Sequence, residues 1–90
     1  MIYYRPGFAR RYRKLGPLQR SRVDIAVGRF AEQVGRPHQH GGLGIRPFGR
    51  YLEFRVGLEL RVLALPEGGD FFLTCVGTHD QIRAYVRSNP

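Results

Sequence analysis

From position 52 to 62 the even positions are Leu52, Phe54, Val56, Leu58, Leu60 and Val62, while the odd ones include Glu53, Arg55, Glu59 and Arg61. A period of two is the signature of strands that pack on one face. The pattern predicts strands over about 50–56, 58–65 and 70–76, with a tight turn near Gly57 and a looser one at Pro66-Glu67-Gly68-Gly69. The even face is expected to pack. The odd face is expected to carry Glu-Arg pairs from neighbouring strands. Upstream, residues 1–4 read as a short strand stopped by Arg5-Pro6-Gly7. Phe8, Tyr12 and Leu15 then fall at helical spacing, and Gly16-Pro17 ends that helix and starts the next. Val23, Ala26, Val27, Phe30, Ala31 and Val34 keep the helical template throughout. Residues 35–47 hold glycines, prolines, His38 and His40 without periodicity and read as a loop. Thr78 and Gln81 have capping-box spacing and open a last helix with an Ile82, Tyr85, Val86 stripe. The order β-α-α-β-β-β-α describes a single α+β domain over 1–90, a helical hairpin packed on a small, mainly antiparallel sheet.

Charge changes this picture by making the chain asymmetric. Residues 1–50 carry ten arginines and Lys14 against Asp24 and Glu32, a balance of +9, while residues 51–90 balance at −1. A basic half of that strength attracts polyanions, nucleic acid first, an acidic protein second. Arg10, Arg11, Arg13 and Lys14 on the first helix are the leading RNA-contact candidates, joined by Arg46, Arg50 and Arg83. No apolar run is long enough to span a bilayer and no signal-peptide pattern opens the chain, so a cytoplasmic protein without membrane association is expected. Cys75, the lone cysteine, lies in an apolar run and is expected to be a buried thiol.

The chemistry available is limited. His38 and His40 lack the further ligands that zinc requires, so no metal or cofactor is expected. Gly41-Gly42-Leu43-Gly44 is not a phosphate loop, and Ser21 and Ser88 lack a nucleophile elbow. His79 differs because it follows Gly77-Thr78 at a strand-to-helix corner, where helix N–H groups favour anions. Cleaving RNA without metal needs a base for the 2′-hydroxyl, cations for the phosphorane and an acid for the 5′-oxygen. His79, Glu53, Arg55 and Arg61 are the right types, although the charged residues would equally serve as an ordinary surface ladder.

The strings Arg50-Tyr51-Leu52-Glu53-Phe54-Arg55-Val56, Leu60-Arg61-Val62-Leu63 and Val76-Gly77-Thr78-His79-Asp80 resemble the RelE/ParE superfamily of toxin–antitoxin toxins. The resemblance implies a ribosome-associated, metal-independent endoribonuclease that cleaves mRNA and is held in a hetero-oligomer by an acidic antitoxin. It also implies roles by position: Arg61 for the phosphate, His79 at the strand end, Tyr85 as an aromatic against RNA, and Arg55 as a basic position on the first hairpin strand. Glu53 departs from the lysine of many members and stands as a base or an orienter of Arg55. The alternatives are a ParE-like gyrase inhibitor that leaves RNA intact and an inactive antitoxin-binding homologue.

Overall fold

A computed structural model describes residues 1–34 and 42–90. The chain runs β1 (Ile2–Tyr4), α1 (Pro6–Arg13), α2 (Pro17–Gln33), β2 (Arg46–Phe48), β3 (Tyr51–Val56), β4 (Leu60–Glu67), β5 (Asp70–Gly77) and α3 (His79–Ser88). The five strands form one sheet in the order β1-β5-β4-β3-β2, with β1 parallel to β5 and every other pair antiparallel. The helical hairpin, β3 and β5 stand where the sequence placed them, and β4 begins and ends two residues later than expected. One short strand is additional: β2 lies in what reads as loop, because its three residues carry no alternation and include Pro47. Proline is tolerated there because β2 is the sheet's edge. His38 and His40 lie outside the described residues.

The even positions pack as expected except Leu58. Phe54, Val56, Leu60, Val62 and Ala64 meet Phe8 of α1 and Val23, Ala26, Val27 and Phe30 of α2, and the Phe30 and Phe54 rings stack with centroids 4.5 Å apart. The odd face does not stay open, which corrects the expectation of a fully polar surface. Helix α3 crosses it, and Ile82 packs with Tyr51, Leu63 and Cys75 in a second, smaller core. The Ile82, Tyr85, Val86 stripe required a partner, and only this face of the sheet was left.

The Glu-Arg ladder is also corrected. Gly57, Leu58 and Glu59 form the β3–β4 turn, with Gly57 at φ 62°, so Leu58 is 99% exposed and Glu59 lies off the strand. That loop length sets Arg55 opposite Arg61 and Glu53 opposite Leu63. The turn expected to be loose is a tight one. Glu67 pairs directly with Asp70, and Gly68 and Gly69 both take positive φ, 60° and 86°, as a two-residue hairpin of the primed kind requires. On β5 the register slips, because Leu63 pairs with Cys75 and Ala64 with Leu73. Thr74 is therefore the extra residue of a β-bulge.

Candidate functional site

Strand β1 covers β5 only as far as Leu73, where the Arg5 N–H donates to the Leu73 carbonyl. Beyond it, residues 74–77 have no strand on their outer side, and α1 and α3 flank them instead. A cleft of about 460 Å³ opens there, lined by Arg10, Arg11 and Lys14 from α1, Thr74 and Gly77 from β5, and Gln81 and Tyr85 from α3. A second hollow of about 350 Å³ continues from it through shared Gly7, Arg10, Thr74 and Tyr85, and adds Arg5, Arg50 and Tyr51. No acidic side chain lines either one. Five cations facing two joined hollows without a carboxylate form a trap for a polyanion, since no internal ion pair competes with the ligand.

Hydroxyl groups run along the floor. The Thr74 Oγ1 donates to the Leu63 carbonyl at 3.3 Å, and the Tyr51 hydroxyl donates to the Asn89 carbonyl at 2.6 Å. Tyr85 lies between them, its ring edge-to-face with Tyr51 at 6.0 Å. Burial pushes the Tyr85 hydroxyl above its ordinary value of 10.0, outweighing the opposing influence of the neighbouring Thr74. It therefore stays protonated at neutral pH and can donate to a phosphate oxygen. Arg50 sits over the Tyr51 ring at 5.3 Å and fills the rim of the second hollow.

Two of the remaining sequence candidates, Arg61 and His79, lie next to Gly77. Arg61 is its cross-strand partner, and His79 follows two residues on as the first residue of α3, exposed at the helix N-terminus. The corner is rigid: the Thr78 N–H donates to Gln81 Oε1 at 2.9 Å and the Gln81 N–H to Thr78 Oγ1 at 3.2 Å. Glu53 is 2% exposed and pairs with Arg46, the Arg46 Nε lying 2.8 Å from its Oε1. The Arg61 Nε is 3.9 Å from the same oxygen. Arg55 points elsewhere, its side chain lying against Gly44 at the hollow beside α2. Arg13 and Arg83 are exposed and line neither of the two joined hollows. Thus Tyr85 joins Arg10, Arg11, Lys14 and Arg50, while Glu53, Arg46 and Arg61 form a second cluster that adjoins the cleft at Gly77, the cross-strand partner of Arg61.

Thr74 and Arg5 line the hollows without having been site candidates in the sequence, and Gln81, read there only as a helix cap, lines the cleft as well. A lone hydroxyl within the apolar run from Phe71 to Val76 was the available signal for Thr74, but its direction depends on the bulge. Among the described residues no group of three metal-ligating side chains occurs, and no helix is long and apolar enough to cross a membrane.

No family model matches the sequence, and no curated protein matches it. Solved structures do match. The antitoxin–toxin complex RelB-RelE from Methanococcus jannaschii aligns at TM-score 0.67 and 16% identity, over 92% of this chain and 96% of that one. The E. coli toxin RelE in its free state gives 0.65 and 15%, over 96% and 90%. This chain has the RelE-like toxin fold. YafQ from E. coli aligns with the same fold at 0.61 and 11% identity, covering 91% of this chain and 96% of YafQ.

Proposed function

We propose that the protein is the toxin of a toxin–antitoxin pair and cleaves mRNA on the ribosome without a metal, the RNA backbone lying in the α1–α3 cleft. The acid-free gathering of Arg10, Arg11, Lys14 and Tyr85 over the free edge of β5 carries this reading. In it, His79 takes the proton from the 2′-hydroxyl, and that oxygen attacks the adjacent phosphorus. Arg61 and the α1 cations stabilise the charge on the phosphorane, and the P–O5′ bond breaks as the leaving oxygen collects a proton. Tyr85, a protonated phenol at neutral pH, is the donor for that oxygen or for a phosphate oxygen. Glu53, out of solvent and paired with Arg46, is not used as a base.

The partner is an acidic antitoxin. Support comes from the basic first half of the chain and from neighbours of the same fold that were solved as RelB-RelE complexes. Exposed Ile25 and Leu58, flanked by Arg22 and Arg55 beside one hollow of about 430 Å³, offer such a chain apolar anchors within a cationic rim.

The test is primer extension on mRNA incubated with ribosomes and the purified protein. Discrete cuts are expected from the wild type, with a loss on the order of a hundredfold or more in His79→Ala and in the triple variant Arg10→Ala/Arg11→Ala/Lys14→Ala. Intact mRNA together with inhibited gyrase supercoiling would overturn the nuclease reading and put the fold to ParE-like use.

A further inference from the structure

We propose that Glu53 is a positioning residue for Arg61, holding its guanidinium toward the substrate while Arg46 supplies the counter-charge. This rests on the nuclease reading above and names a residue whose role there is indirect.

The cluster presents a physical anomaly. Glu53 stands mid-strand on the face that α3 shares, 2% exposed, where an isolated carboxylate is costly. Its Oε1 meets the Arg46 Nε at 2.8 Å, yet its Oε2 is buried with no hydrogen-bond partner among the described residues. The Arg61 Nε is likewise buried without one, 3.9 Å from Oε1. One carboxylate therefore keeps an unfilled acceptor, Oε2, while the unfilled Arg61 donor lies just outside hydrogen-bond range of its other oxygen, the one Arg46 occupies.

Cross-strand geometry explains why Arg61 needs such a partner. Arg55 lies directly opposite it, and like charges in that relation repel. Arg55 has turned away against Gly44 and is exposed, whereas Arg61 stays 18% exposed on the Glu53 side. The diagonal carboxylate is what favours the inward position. A guanidinium anchored through Nε keeps its two terminal nitrogens for bidentate contact with a phosphate. Arg46, more than half exposed, balances Glu53 from the edge strand, so two arginines share one carboxylate and the cluster keeps a net positive charge.

Glu53→Gln keeps the shape and removes the charge. Three readouts separate positioning from simple stabilisation. First, the Arg61 Nε–H cross-peak in a ¹H–¹⁵N spectrum is expected to shift upfield and exchange faster with water in Glu53→Gln. Second, kcat for mRNA cleavage is expected to fall at least about tenfold with KM changed less than about twofold, because the lost interaction acts on the transition state. Third, Glu53→Gln and Arg61→Ala together are expected to cost little more than Arg61→Ala alone. An unmoved Arg61 resonance, or additive losses, would overturn the proposal. Arg46→Gln guards against a Glu53 variant that fails to fold: freed from Arg46, the carboxylate is expected to close on Arg61, moving its Nε–H downfield. A lost Arg61 shift in that variant counts against the idea. A wild type that cleaves no RNA would end the nuclease reading, while the Arg61 resonances would still decide whether Glu53 holds it.

Discussion

Cys75 and Tyr85 show how one side chain's surroundings set its chemistry. Burial beneath α3 pushes the Cys75 thiol above its ordinary value of 9.0, slightly offset by the Arg11 charge. The folded thiol holds its proton more tightly than the unfolded one. Stability is therefore complete below about pH 9 and declines as the pH rises through the folded value, the unfolded chain being the form that ionises first. Urea midpoints measured from pH 7 to 10.5 are expected to fall on the alkaline side, and Cys75→Ala is expected to flatten the part of that fall that begins near 9.0. Iodoacetamide is expected to label Cys75 slowly at neutral pH and fast in denaturant, since the thiolate is the nucleophile. A native labelling rate equal to that of a free thiol would show that α3 does not stay seated. At the same scale the sequence read well where a residue's role is local. Cys75 was placed in the core from its neighbours. Glu53 was misplaced on a polar surface because nothing in β3 reveals that Arg46, on a strand that carries no alternation, would reach it.

Helix α3 depends on a short stretch of its own sequence. Thr78 and Gln81 exchange hydrogen bonds across the first turn, and Gly77 leaves the space in which the Gln81 side chain lies. A methyl group on Gly77 would meet the Gln81 Oε1 at 2.5 Å. Thr78→Ala is expected to cost about 0.5–2 kcal/mol of stability, the usual value of a helix cap. Gly77→Ala is expected to cost a similar amount by displacing Gln81, and the double variant less than the sum, because both act on one pair of hydrogen bonds. Chemical denaturation of the four proteins measures this; strict additivity would contradict the shared mechanism. The capping box was legible from the spacing of Thr78 and Gln81. That the helix it starts covers the odd face, closing a second core and walling the cleft, was not legible, since an amphipathic stripe states that a partner exists without saying which.

Across the whole molecule, charge gathered from distant parts of the chain becomes one surface. Arg5, Arg10, Arg11 and Lys14 come from the N-terminal segment and Arg50 from the turn before β3, and they meet only because α1 lies along β5. RNA binding is expected to weaken with added salt. Each neutral substitution at Arg10, Arg11 or Lys14 is expected to reduce the slope of log K against log salt by about 0.7, the single-strand value. Neutralising Arg13 or Arg83, which line neither of the joined hollows, is expected to change it less. Filter binding at four salt concentrations would test this, and equal effects at all five positions would point to a diffuse basic surface instead of a cleft.

Alternation and helical spacing were enough to determine every element except β2, their order and most of the packed even face, because these depend on side chains within a few residues of one another. The β3–β4 loop length, the bulge at Thr74, the seat of α3 and the partnership of Glu53 with Arg46 and Arg61 were decided by tertiary structure. Each of these is a matter of register or of which face meets which, and a shift of one residue exchanges the two faces of a strand. The basic cleft belongs to the same class: its charges were countable in the sequence, but their convergence on Tyr85 exists only once α1 and α3 have packed on either side of β5.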